Sequence, residues 1–314
     1  MDFRILKGKN ERAFYDIRIQ QLTAIYRDAQ VRLRKIVRSA DATDFQVARA
    51  TELMAQAREE IGKLDFYARR WISRNVPEAY SRGAEFAQER LRALDVTRRV
   101  DLGANVHRTA VNVIADQMTL DLLGANSSIR RQVSDFLRRT QQQYLEERQI
   151  NRNIAQGLVQ GESRNTTSDR IYQDLVERMN DEKFISINGR NYEPKTYAEL
   201  VARTRTREAT TRGTINSTLQ YGLDLVQISV HENPCPICQK FQGKIYSLTG
   251  TDPDFPVLKE QPPYHPNCEH VLLPVTRIAL EDRGVFGTLR SFSRSNTRTV
   301  TDFSQFEDLI GAAA

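Results

Sequence analysis

His231-Glu232-Asn233-Pro234-Cys235-Pro236-Ile237-Cys238 and, further on, Pro263-Tyr264-His265-Pro266-Asn267-Cys268-Glu269-His270 decide how the chain is read. Between them they hold all three cysteines and three of the four histidines of the 314 residues. Cys235 and Cys238 stand at the spacing that lets one tight turn present two sulfurs to a metal at about 2.3 Å, and His265 and Cys268 repeat that spacing. Two such knuckles complete the four-coordinate nitrogen and sulfur shell that structural zinc prefers. The prolines inside both turns reduce the entropy lost on forming it. Cys235, Cys238, His265 and Cys268 are therefore the first-choice zinc ligands. His270 or His231 stands as an alternative to His265, and spacing alone leaves the fourth place open.

Other chemistries fit this stretch less well. A redox Cys-x-x-Cys opens a helix in a βαβ unit, whereas Pro234 and Pro236 call for a turn. A disulfide framework leaves one of three cysteines unpaired. Zinc deaminases require a His-x-Glu on a separate upstream element, and neither His231-Glu232 nor His107-Arg108-Thr109 supplies it. A metalloprotease helix requires His-Glu-x-x-His; here Pro234 and Cys235 follow His231-Glu232-Asn233. No catalytic residue is assigned.

Several segments together resemble a known family: Val226-Gln227-Ile228-Ser229-Val230-His231, Cys235 to Cys238, Gln242-Gly243-Lys244-Ile245-Tyr246, and Pro262 to His270. In this order they resemble the minor capsid, or minor head, proteins of tailed bacteriophages, the Mu F-like head-morphogenesis group. The resemblance spans residues 184 to 275 and includes Tyr197 and Arg203-Thr204 in a helix before the metal stretch. Many members end the motif with Cys-x-Cys, where this chain has Cys268-Glu269-His270. The resemblance implies a non-enzymatic structural protein of the virion, assembled in the host cytoplasm in several copies per particle. It also implies contact with the portal protein, the capsid interior and packaged double-stranded DNA. The competing reading is a zinc-dependent nuclease of treble-clef or His-Asn-His type. That chemistry needs an open metal position or a histidine base outside the structural ligands, and only His231 or His270 is spare.

Composition is that of a water-soluble fold, 39% hydrophobic and 27% charged. No run approaches the ~18 apolar residues of a membrane span, and Met1 to Asn10 has no signal-peptide core, so no membrane partner is expected. Basic residues concentrate early: residues 1 to 160 hold 28 Lys and Arg against 20 Asp and Glu, and Arg outnumbers Lys 37 to 9 over the chain. The guanidinium fork grips phosphate in bidentate fashion, so this half is the candidate DNA-contacting surface, with no individual residue assigned.

Tyr15, Ile19, Leu22, Tyr26, Ala29, Leu33 and Ile36 step by four and three, a heptad seam. Asp41 to Asp44 break it, Thr43 and Gln46 have capping-box spacing, and Ala50, Met54, Ala57, Ile61, Leu64, Ala68 and Trp71 form a second seam. An antiparallel helical hairpin is expected. Pro77 fits the first turn of a third helix, and Val111, Ile114, Met118 and Leu122 mark a fourth that Gly124 to Ser128 interrupts. Residues 129 to 160 read as a long, sparsely apolar helix. Gly161 to Thr167 reads as a hinge before a short helix through Ile171, Leu175 and Met179.

Asn188-Gly189 signals a two-residue hairpin. Pro194 to Tyr221 reads as a helix capped by Gly222, whose Arg203, Arg207 and Arg212 face water or phosphate. Leu223 to Val230 and Val271 to Val275 read as strands entering and leaving the metal stretch. Residues 239 to 264 are rich in Pro, Gly, Asp and Thr, so zinc is expected to replace a core there. After Ile278 the chain turns to Ser, Thr and Arg, and Phe286 to Val300 reads as a flexible arm before a short terminal helix. The expected fold is α+β: a helical domain (1 to 160), a linker (161 to 182), a zinc-stapled module (183 to 278) and a flexible tail (279 to 314).

Overall fold

The computed structural model describes residues 9–39, 47–96, 101–154, 185–187 and 190–311. The expected Asp41 to Asp44 break, the capping box, the hinge at 161 to 167 and the helix through Ile171 lie outside these residues. The chain is mostly helical, with one three-stranded antiparallel sheet. It divides into two compact units built from interleaved segments: residues 1–18, 72–118 and 200–314 form one, and residues 19–71 and 119–199 the other.

The second unit is where the heptad seams settle. Helix α1 (Lys9–Arg38) buries Ile19, Leu22, Tyr26, Ala29, Leu33 and Ile36. Helix α2 (Val47–Arg92) buries Ala50, Ala57, Ile61, Leu64 and Ala68 with Trp71, while Leu53 rather than Met54 takes the deeper place in its seam. Arg32 pairs with Glu60 between α1 and α2. Helix α3 (Asn105–Ile154) joins them through Asn126, whose Nδ2 donates to Asp65 at 2.6 Å, and through Arg130, 3.3 Å from the same carboxylate. Strands β1 (Ile185–Ile187) and β2 (Arg190–Tyr192) pair antiparallel with Ile187 opposite Arg190, the register of a two-residue hairpin.

Two expected breaks are absent. Pro77 lies inside α2 rather than at the start of a third helix. Burial of Val76, Ala79 and Tyr80 around it outweighs the hydrogen bond that the missing N–H forfeits. Gly124 to Ser128 likewise continue α3, because Ala125, Asn126 and Ser128 are buried against their neighbours and packing overrides weak propensity.

In the first unit α4 (Pro194–Gln220) ends as expected. Gly222 takes φ 76°, its N–H bonds to Leu219 O at 2.9 Å, and Leu223 N–H reaches Thr218 O at 3.1 Å, a Schellman closure. Strand β3 (Leu225–Ile228) follows at the centre of the sheet, flanked by β4 (Ile245–Ser247) and β5 (Leu272–Pro274). Val226 faces Tyr246 on one side and Pro274 on the other. Alternate side chains of β3 fill two cores. Val226 and Ile228 pack with Ile215 of α4 and Leu272, and Leu225 packs with Ile245, Phe255 and Val275.

The second of these cores overturns the flexible tail. Helices α5 (Arg277–Glu281), α6 (Phe286–Arg294) and α7 (Phe303–Gly311) contribute Leu280, Leu289, Phe292 and Phe306 to it, and Val285 just before α6 and Val300 between α6 and α7 join them. Val285, Leu289 and Phe292 form a single narrow stripe among Ser, Thr and Arg. Average composition hides such a stripe, yet it suffices for a helix lying on a sheet. The same core also means that burial holds β3 and β5 in place, where zinc was expected to replace a core. Among the described residues no helix is long and apolar enough to cross a membrane.

Candidate metal centre

Both knuckles leave the same end of the sheet, the first after β3 and the second before β5, so sheet pairing sets them side by side. A short 3-10 turn (Cys238–Lys240) closes the first knuckle, with Gln239 N–H on Cys235 O at 2.9 Å. Cys268 N–H on His265 O at 2.9 Å closes the second. Phe241 and Tyr264 stack across the two with ring centroids 4.3 Å apart. Arg207 of α4 donates to the Cys268 carbonyl and pins the second turn from outside.

The structure brings five of the six candidate ligands together. Cys235, Cys238 and His265 form one group of donors and Cys238, Cys268 and His270 another, with the donor atoms within each group no more than 4.8 Å apart. Cys238 is common to both. His265 Nε2 lies 3.3 Å from Cys235 Sγ and 3.2 Å from Cys238 Sγ. Cys238 Sγ lies 3.8 Å from Cys268 Sγ, which is 3.8 Å from His270 Nδ1. A tetrahedral zinc shell has sulfur–sulfur edges of about 3.8 Å and sulfur–nitrogen edges of about 3.6 Å. His231 belongs to neither group: its Nε2 lies 2.9 Å from Ser229 Oγ, and its ring meets that of His270 edge-on at 4.6 Å.

The electrostatics of the cluster suit a cation. Burial, and then the adjacent Cys268 thiol, push the Cys238 pKa well up. Burial also raises Cys235, but amide hydrogen bonds from Cys238 and Ile237 outweigh it and leave that thiol below its ordinary value. Burial, helped by His231, His265 and Arg207, pulls His270 down to about 3 and keeps its imidazole neutral, the form that ligates metal. Neighbouring thiols resist ionising together, and a divalent cation removes that conflict by binding them as thiolates.

One residue of the site carried no role in the sequence. Gln242 is fully buried; its Nε2 donates to Val300 O at 2.6 Å, and its Oε1 lies 3.0 Å from His270 Nε2 and 3.2 Å from the His231 amide. Its place in the Gln242-Gly243-Lys244 motif was the available signal. Of the four arginines on α4, three are engaged within the protein, Arg203 with Asp16 at 3.6 Å, Arg205 with Glu208 at 2.7 Å and Arg207 with Cys268, while Arg212 is exposed.

Residues 15–276 match the phage minor capsid protein 2 family, most of the chain. The protein belongs to that family. Membership makes it a structural protein of the phage head and places it in the virion. The match starts at residue 15, well upstream of residue 184 where the motif resemblance begins, so the helical segments belong to the family as much as the metal stretch does. No curated protein and no solved structure shows a significant match.

Proposed function

We propose that this minor capsid protein works inside the phage head without enzymatic activity, contacting the portal protein and packaged double-stranded DNA, in several copies per particle. Family membership over residues 15–276 carries the reading. The Arg-rich helical segments supply the DNA-facing charge, and zinc staples the knuckles through Cys235, Cys238 and Cys268 with a histidine, His265 or His270, in the fourth place. Bound there, zinc supplies a rigid cross-link and no open position for water. A donor set of thiols and imidazoles without a carboxylate supports that structural role over a nuclease centre. The test is co-sedimentation of the tagged protein with intact heads, followed by cross-linking to the portal. Recovery in heads with portal cross-links is expected; a protein that stays in the soluble fraction while heads assemble normally overturns the proposal.

A further inference from the structure

The two histidines beside the thiols are not equivalent, and the difference lies in what holds their far nitrogens. The Gln242 amide has a fixed sense, because its Nε2 is spent on the Val300 carbonyl at 2.6 Å. Its Oε1 is therefore turned toward the His231 N–H and His270 Nε2. A carbonyl oxygen only accepts, so His270 Nε2 must carry the proton. A neutral imidazole protonated there has its lone pair on Nδ1, the atom 3.8 Å from Cys268 Sγ. Nearly every metal-bound histidine donates its other N–H in this manner, which fixes its tautomer and its ring orientation. His265 offers Nε2 to Cys235 and Cys238, but among the described residues its Nδ1 has no such acceptor.

We infer that Gln242 is a positioning residue that presents His270 through Nδ1 as the fourth metal ligand, leaving His265 as a hydrogen-bond partner of the thiolates. The inference rests on the proposed metal reading and deepens it. It also gives Gln242 a second consequence: the same amide that sets the metal ligand is anchored on Val300, so the segment between α6 and α7 is tied to the ligand shell.

The experiment uses the full-length protein loaded with cobalt(II) for spectroscopy and with zinc for nitrogen NMR of the histidines. The wild type is expected to show a tetrahedral cobalt spectrum with three thiolate ligands, with metal on His270 Nδ1 and a proton on His270 Nε2. His265→Ala keeps that spectrum, and His270→Ala loses it. Gln242→Met lowers metal affinity roughly 10- to 100-fold, whereas Gln242→Glu, which keeps an acceptor for Nε2–H, retains most of it. A spectrum lost in His265→Ala and kept in His270→Ala, or a proton on Nδ1 of His270, overturns the inference and leaves zinc in place. A wild type that takes up neither metal overturns the metal reading itself.

Discussion

The ring of Phe306 occupies the place where a side chain on Gly243 would begin: a Cβ built there falls 2.9 Å from two of its carbons and 3.4 Å from Phe292. Gly243 also takes φ +77°, the left-handed region. Its neighbours hold the same segment by polar contacts. Gln242 binds Val300 O, Lys244 Nζ donates to Ser295 O at 2.7 Å, and Ile245 N–H donates to Ser293 Oγ at 2.8 Å. Four consecutive residues after the first knuckle thus form the seat on which α6 and α7 dock.

Gly243→Ala is expected to combine left-handed strain with displacement of Phe306, costing about 1 to 3 kcal/mol. Phe306→Ala, which empties the seat, costs about 3 to 5 kcal/mol. Chemical denaturation of both variants checks this, and a Gly243→Ala protein as stable as wild type contradicts the seat.

A second close approach joins α2 to α4. A Cβ on Gly83 falls 1.9 Å from Thr210 O, and one on Gly213 falls 2.1 Å from Tyr80 O. Thr210 and Thr214 hydroxyls donate across the same crossing to Ala79 O and Gly83 O at 3.2 and 3.0 Å. Gly83→Ala should therefore push two backbones apart and destabilise by at least about 1 to 3 kcal/mol. At Gly62, a helical glycine with nothing within 4 Å, the same substitution should stabilise by about 0.4 to 1 kcal/mol. Opposite signs in two melting curves are the expected result.

Tyr80 also anchors a buried polar chain. Asn216 Nδ2 donates to its hydroxyl at 2.7 Å, and the hydroxyl is hydrogen-bonded to His107 Nδ1 at 2.7 Å. Tyr80→Phe keeps the ring and strands both partners, with an expected loss of about 1 to 3 kcal/mol. His107 is 2% exposed, so water does not readily take the vacant place.

What was legible in the sequence was whatever a repeating spacing encodes. Ile19 to Ile36 and Ala50 to Trp71 show their buried faces by period alone, and Cys235, Cys238, His265 and Cys268 show their convergence by knuckle spacing. Positions that depend on partners remote in sequence stayed hidden. Gly83 looks like an ordinary helix glycine until Thr210 is set against it, and Leu289 and Phe292 look like tail residues until the sheet is beneath them. Pro77 read as a helix start because local propensity was the only term available, and tertiary burial outweighed it. Gln242 was visible as part of a motif, but its role requires His270 and Val300 to arrive from distant segments.

The Arg-rich helical segments make a prediction about salt. If their guanidinium groups meet packaged DNA, the full-length protein should bind duplexes of unrelated sequence equally, with affinity falling linearly on a log–log plot as counterions are released. Fluorescence anisotropy between low and physiological salt measures the slope. A slope near zero, or strong preference for one sequence, removes packaged DNA from its partners.

The last prediction concerns what the metal contributes once the C-terminal core is taken into account. Small zinc modules gain on the order of 10 to 16 kcal/mol from the ion because nothing else folds them. Here Leu225, Phe255, Leu289, Phe292 and Phe306 already form a buried core with the sheet, so the loss should be local. Cys235→Ser or Cys268→Ser is expected to abolish binding of one zinc per chain. Protease sites should open within residues 232 to 270, while helix content and the α6–α7 core remain. Acidification should release the ion for the same reason that it binds: thiolates and neutral imidazole must be deprotonated to ligate, so protons compete more strongly as pH falls. Elemental analysis paired with limited proteolysis and mass mapping separates the outcomes. Cleavage spreading at once through residues 277 to 311 would mean that the ion holds the whole C-terminal core, and an unchanged cleavage pattern in a metal-free protein would mean that it holds nothing.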